Sequence, residues 1–270
     1  MTVVVTNDDG IESPGIHALA AILHSLGHDP VVVAPERDMS GSSAAIGYID
    51  FDKPTKVRSV RLPEPARHVR AFSVNGPPGF AALLAAQEGI DGVRPEFLVS
   101  GINAGTNTGH SILHSGTVGA ALTAASFGLS ALAVSLAVAD PMPWDDARDH
   151  IEEALGLLAE APRSTVLNVN VPARAAAAAG GLRWAILDRF GSFRVAVADR
   201  HDAQVQLEYR ATGTKLDPDS DTALVESGYA TVTALEAIRA IPPDELPERE
   251  PPPTPEPRLA PGPGEMPAAD

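Results

Sequence analysis

Strand and helix patterns alternate over the first 172 residues and predict an α/β fold with a mostly parallel, doubly wound sheet. Three observations lead there. Apolar, β-branched runs of strand length recur along the chain. Each is cut off by Gly, Pro, Ser or Asn. Helical patterns fill the gaps until Pro172, after which they largely stop, so the C-terminal part reads as an antiparallel extension or arm.

The elements follow in order. Val3-Val4-Val5 is a buried first strand, ending at Asn7-Asp8-Asp9-Gly10. Pro14-Gly15 introduce a helix from Ile16 to Leu26. Pro30 to Ala34 is a second strand, stopped by Pro35, and Phe72 to Val74 a third, followed by Asn75-Gly76-Pro77-Pro78. Gly79 to Gln87 is helical in composition. Phe97-Leu98-Val99 is a fourth strand, ended by Ser100-Gly101. An Ala-rich helix from Val118 to Phe127 precedes a fifth strand, Leu129 to Leu136. Trp144 to Leu158 has the spacing of an acidic amphipathic helix, and Thr165 to Val171 is a sixth strand closed by Pro172. Gly181 to Asp188, Phe193 to Ala198 and Val205 to Arg210 are shorter strand patterns with no helices between them. A helical turn from Asp221 to Gly228 and a last strand from Tyr229 to Leu235 complete the pattern. From Pro242 to Asp270 there are 11 prolines in 29 residues, too few apolar groups to offset ordering, and a disordered tail is expected. The expected organisation is one domain over residues 1–241, with a core at 1–172 and an extension at 173–241, followed by the tail at 242–270.

Composition narrows the function classes. The formal net charge of −15 argues against binding nucleic-acid backbone, duplex included, as the main task. A phosphate substrate remains open, because a metal supplies positive charge locally. Without cysteine there is neither a disulfide framework nor a thiolate metal site. No basic segment followed by an apolar run precedes the first strand, and no apolar stretch is of bilayer length, so a soluble cytoplasmic protein without membrane association is expected.

Asp8 and Asp9 stand where a buried strand hands over to a helix, at the sheet edge where open α/β proteins bind ligands. Two adjacent carboxylates repel unless a proton or cation relieves them, and a hard divalent metal with oxygen ligands is the simplest relief. Most Asp-Asp-Gly triplets are solvated turns; the apolar strand before this one favours a site. Residues 100–119 hold five glycines and six Ser/Thr residues in 20 positions between a strand and a helix. Such glycine density lets backbone amides turn toward a ligand, and Ser115-Gly116-Thr117 lies at a helix N-terminus that favours an anion. A flexible loop with a Ser cap is the alternative. Asn103 and Asn107 offer neutral oxygens or amide donors. Ala34 to Ser43 follows the second strand and puts Ser40 within reach of the Asp pair if the strands are neighbours. His110 and His114 are candidate proton donors or phosphate contacts, or else polar surface. His17, His24 and His28 are expected on the surface. The common Gly-rich nucleotide fingerprints and helical zinc motifs are absent.

At these residues the chain resembles the SurE family, the survival protein E nucleotidases. The resemblance rests on Val-Thr-Asn-Asp-Asp-Gly-Ile at 5–11, Ala-Pro-x-Arg-x-x-Ser-Gly at 34–41 and Ser-Val-Asn-Gly-x-Pro at 73–78. It continues through Ser-Gly-Ile-Asn-x-Gly-x-Asn-x-Gly at 100–109 with Ser-Gly-Thr-Val-Gly-Ala-Ala at 115–121, Leu-Asn-Val-Asn-Val-Pro at 167–172 and Asp-Thr-Ala-Leu-Val at 221–225. The resemblance implies a Rossmann-like core, an exchanged C-terminal arm, and a homodimer or homotetramer. It implies a phosphomonoesterase acting on nucleoside 5′- or 3′-monophosphates, with one divalent ion per subunit, Mg²⁺ or Mn²⁺. Metal ligands fall on Asp8, Asp9, Ser40 and Asn103, and phosphate-binding residues on Asn107, Ser115, Gly116 and Thr117; Asp8, Asp9 and Asn107 are the catalytic candidates. Phe80 stands where the family usually has a carboxylate, and Ser111 and His114 where it has Asp and Tyr. These departures leave the metal set intact and bear on the substrate, a nucleoside monophosphate or another, specialised small phosphoester. They also leave open a catalytically silent nucleotide-binding or scaffold protein. A haloacid-dehalogenase-like phosphatase is disfavoured, because its carboxylates stand two apart and these are adjacent.

Overall fold

The computed structural model describes residues 1–87, 90–92, 94–172, 181–189, 193–201, 204–211, 213–240, 242 and 245. In chain order the strands are β1 (Thr2–Thr6), β2 (Asp29–Pro35), β3 (Val57–Val60), β4 (Arg70–Val74), β5 (Phe97–Ala104), β6 (Ala131–Leu136), β7 (Val166–Val171), β8 (Arg183–Trp184), β9 (Phe193–His201), β10 (Gln204–Ala211) and β11 (Thr231–Leu235). The helices are α1 (Pro14–Ser25), α2 (Pro78–Gln87), α3 (Gly116–Ser126), α4 (Arg148–Glu160) and α5 (Asp221–Glu226). Nine strands form one sheet in the order β3-β4-β2-β1-β5-β6-β7-β11-β8, and β9 and β10 form a separate antiparallel hairpin.

The six strands from β4 to β7 in that order run parallel. Val3 and Val5 point to one apolar layer, with Ile16, Leu19, Ile151 and Leu155 of α1 and α4. Val4 points to the other, with Ala81, Ala85, Ala121 and Ala124 of α2 and α3. A strand covered on both faces needs apolar side chains at successive positions, which is why Val-Val-Val lies at the centre. From β1 the chain builds outward through β2 and β4, then returns to place β5 on the other side of β1. This reversal opens a crevice at the carboxyl ends of β1 and β5.

Several boundaries differ from the sequence expectation. Ser100-Gly101 do not end β5; the strand continues to Ala104 through a register shift between Ser100 and Asn103. A glycine inside an apolar strand here marks a bulge, not a stop. Trp144 to Ala147 is a 3₁₀ turn, and α4 starts at Arg148. Within the Gly181–Asp188 pattern only Arg183–Trp184 pair as a strand. The edge strand β3 and a 3₁₀ helix at Gly109–His114 were not expected; both are too polar and short for a periodic signal. Residues Met1–Ile238 form one compact unit. The expected tail at 242–270, Pro242 and Glu245 apart, and residues 173–180 of the extension lie outside the described residues.

Two helix glycines test this packing. A Cβ on Gly119 of α3 would lie 2.3 Å from the Ser43 carbonyl, so helix and loop backbones touch there. A Cβ on Gly156 of α4 would meet nothing within 4 Å. Gly119→Ala is expected to cost about 1–3 kcal/mol by overpacking, and Gly156→Ala to stabilise by about 0.5–1 kcal/mol through helix propensity. Urea unfolding of both variants checks the pair; equal effects would contradict the packing.

Candidate active site

Asp8 lies just beyond the end of β1 and is 4% exposed. Its carboxylate accepts the Thr117 hydroxyl at 2.6 Å and the Gly116 amide at 3.1 Å, both at the N-terminus of α3. A helix N-terminus favours an anion, and here the anion is the protein's own. Gly116 and Thr117, expected to face a phosphate, thus face Asp8. Ser115 caps α3 by accepting the Val118 amide at 3.1 Å. The turn holding the Asp pair is fixed by Asn7, whose side-chain amide donates to the Gly10 carbonyl and to Ser13 Oγ at 3.0 and 2.8 Å. Gly10 has φ +92°, and a Cβ there would fall 2.7 Å from the Arg37 backbone, so the turn is pressed against the loop after β2.

That loop brings Ser40 to the same place. The Met39 amide donates to the Asp8 carbonyl at 2.7 Å. Ser40 donates its hydroxyl and amide to Asp38 at 2.6 and 2.8 Å, holding the Asp38 carboxyl below the usual range. Asn103 comes from the other side, on β5. Thr6 and Ser100 are register partners, and Asp9 and Asn103 each follow three residues later. Asn103 donates its side-chain amide to the Gly105 carbonyl at 2.7 Å, which turns its carbonyl oxygen away from that contact. Asp8, Asp9, Ser40 and Asn103 therefore lie at or beyond the carboxyl ends of three neighbouring strands, β1, β2 and β5. Among the described residues, no three His, Cys, Asp or Glu side chains cluster to hold a metal. A cation here would rest on two carboxylates and neutral oxygens.

Burial pushes the Asp8 carboxyl upward, against the Thr117 and Gly116 hydrogen bonds that lower it. Burial, then the Asp8 charge, then Asp38 push Asp9 up to about 6. The donors at α3 do not offset the desolvation, so the pair carries uncompensated negative charge when ionised.

Asn107 is held by residues that the sequence reading left without a role. Its amide donates to Asn170 Oδ1 at 2.7 Å, and its carbonyl accepts from Asn168 and Asn170 at 2.8 and 2.9 Å. Its side chain donates to Ser135 at 2.9 Å. Two residues on, the Gly109 amide donates to Asp221 Oδ2 at 2.9 Å, and Asp221 Oδ1 accepts the Asp188 amide at 3.0 Å. Asn168 and Asn170 interrupt an otherwise apolar buried strand, and that polar interruption is the signal in the sequence. His110, His114 and Ser111 lie exposed on the 3₁₀ helix. His17, expected on the surface, is buried, with Nε2 2.8 Å from the Ile11 carbonyl; the turn before α1 folds back over it. Phe80 is 6% exposed and packs over Gly76, so it chiefly fills the core.

Comparison with known proteins extends the sequence resemblance. The Survival protein SurE family model matches residues 3–191. The 5′-nucleotidase SurE of Natranaerobius thermophilus is 33% identical over 244 residues, covering 87% of this chain and 92% of that protein. The 5′-nucleotidase SurE of Symbiobacterium thermophilum is 39% identical over 240 residues, 86% and 91% of the two chains. The crystal structure of the SurE protein from Aquifex aeolicus superposes with a TM-score of 0.72 at 27% identity, covering 89% of this chain and 95% of that one.

The Asp9 carboxyl has a pH signature. Its value in the folded chain, about 6, lies above the ordinary 3.8, so the folded state holds the proton more tightly. Stability from this group is present at low pH and lost as pH rises from about 4 to about 6. In chelator, the melting temperature of Asp9→Asn relative to the parent is expected to climb across that window, and a divalent cation to narrow the gap by stabilising the parent. A gap independent of pH would contradict the electrostatics.

Proposed function

The chain belongs to the SurE family, and from that premise we propose that it is a divalent-metal-dependent phosphomonoesterase that hydrolyses nucleoside 5′- or 3′-monophosphates. The observation behind the reading is the Asp8-Asp9 pair at the switch point of the sheet, Asp8 buried and Asp9 partly buried, with charge that its own hydrogen bonds do not offset. Adjacent carboxylates with Asn103 and Ser40 oxygens form a hard donor set that suits Mg²⁺ or Mn²⁺. One such ion per subunit would be held by Asp8, Asp9, Ser40 and Asn103. When bound, it supplies positive charge against the phosphoryl oxygens and acidifies water.

The chain's own groups do the rest. Thr117 and Gly116 orient Asp8, leaving Asp9 as the less confined carboxylate to take a proton from attacking water. Asn107 is pinned on three sides, and with one side-chain amide hydrogen donated to Ser135 the other would serve the phosphoryl group with little reorganisation. Ser115 stands at the same helix start. A phosphate docked here would meet donors whose positions are set before it arrives.

Assembly forms part of the proposal. The β9–β10 hairpin lies outside the main sheet, and Val195, Val205 and Leu207 on it are 59%, 56% and 62% exposed. A lone two-stranded hairpin is marginal in water, so a homodimer or homotetramer that covers or exchanges this arm fits it.

Asp9→Asn is expected to abolish phosphate release from nucleoside monophosphates and to weaken Mn²⁺ binding while the fold persists. Excess chelator is expected to silence the parent. Full activity in chelator, or an Asp9→Asn protein as active as the parent, defeats the reading. Metal and nucleotide binding without turnover would favour the silent nucleotide-binding alternative. In sedimentation at micromolar concentration the protein is expected to exceed monomer mass, and trimming residues 242–270 to change neither mass class nor activity; a monomer would count against the arm's role.

A further inference from the structure

We propose that the cavity beside β4 is a subsite for a second phosphate group, so that the preferred substrate class is a nucleoside bisphosphate. The inference rests on the phosphomonoesterase reading and extends it. The cavity has a volume of about 380 Å³, and Lys53, Lys56, Arg58 and Asn75 line it together with Glu36 and Asp50.

Position ties this cavity to the Asp pair. Glu36, in its wall, belongs to the loop that carries Ser40, and the Glu36 amide donates to the Val74 carbonyl at the end of β4. Asn75 follows β4 directly. β4 neighbours β2, and β2 neighbours β1. Two strand spacings, roughly 10 Å, therefore separate the strand ends. A nucleoside phosphorylated at both ends of its sugar reaches from one toward the other.

Charge points to an anion. The chain has three lysines among its 20 basic residues, and two of the three line this cavity. Elsewhere the surface relies on Arg; here it places compact, mobile ammonium groups suited to a phosphate. Asp50 pairs with Lys53 at 2.8 Å and Glu36 with Arg58 at 3.2 Å, but both cations stay largely exposed, and such surface pairs yield readily to a competing dianion. Among the described residues Lys56 has no carboxylate partner. The lining thus holds one more positive than negative charge, in a chain whose net charge is −15. A local positive cleft on an acidic surface concentrates anions there. Tyr48, 93% exposed, adds ring surface on which the nucleoside can lie.

The test compares phosphate release from adenosine 5′-monophosphate and adenosine 3′,5′-bisphosphate by the full-length protein with Mn²⁺. For the parent, kcat/KM is expected to be about tenfold higher on the bisphosphate, the effect residing in KM. Lys53→Gln with Lys56→Gln is expected to bring the ratio to about one while leaving the monophosphate constants unchanged, and Lys53→Arg with Lys56→Arg to keep the preference. A parent that hydrolyses the monophosphate without preferring the bisphosphate overturns the subsite, as does a preference that survives the Gln pair. If neither nucleotide is hydrolysed, the phosphomonoesterase reading fails separately. Calorimetric titration of both nucleotides into parent and Gln variant then decides: tighter bisphosphate binding that the Gln pair abolishes supports the subsite, and equal binding overturns it.

Discussion

The site depends on the contact between the Asp8 carboxylate and the first turn of α3. Its two hydrogen bonds, from the Thr117 hydroxyl and the Gly116 amide, cross the crevice between the end of β1 and the helix that follows β5. They satisfy free donors of the helix start and fix the orientation of a carboxylate that is 4% exposed. They do not offset the burial, since the Asp8 carboxyl is still pushed upward. Adding Asp9, itself partly buried, next to it leaves an excess of negative charge at the site. A fold that retains such a pair carries a standing electrostatic cost, relieved only by a proton or a cation.

Around that contact the fold works as a set of clamps. The turn at Asn7 to Gly10 is stapled by the Asn7 amide and pressed on the loop after β2. Met39 ties that loop to the Asp8 carbonyl, so Ser40 is carried to the pair by backbone hydrogen bonding. On the far side of β5, Asn168 and Asn170 point polar groups out of a buried strand and hold both the N–H and the C=O of Asn107. Asp221 joins the Gly109 and Asp188 amides, linking the glycine-rich loop to the segment that leads into the hairpin. Each clamp uses groups that would be costly to bury unpaired, which makes the geometry stiff. Stiff geometry is what charge stabilisation during phosphoryl transfer requires. The Lys53 and Lys56 cavity lies on the same rim but is built from exposed side chains, so it suits adjustable attraction better than fixed orientation.

The sequence by itself determined the sheet's centre and its rim. Val3-Val4-Val5 and Pro30 to Ala34 are apolar at successive positions, and a strand covered on both faces explains that. Two adjacent carboxylates after such a strand stand at the edge where open α/β sheets bind ligands. Tertiary structure decided what local pattern could not encode. Whether Gly101 ends β5 or bends it depends on pairing with β6, whose register partners lie 32 or 33 residues away in sequence. Whether the α3 N-terminus meets a phosphate or Asp8 depends on β1 and β5 being neighbours. The roles of Asn168, Asn170 and Asp221 arise from contacts spanning 33 to 112 residues of sequence. His17, surface by local reading, is buried because a turn closes over it, and Phe80, where the resemblance has a carboxylate, is buried against Gly76. Periodicity reports which face of an element is apolar; only the packed chain settles which distant group meets it, because hydrogen bonds and charges act over ångströms, not along sequence.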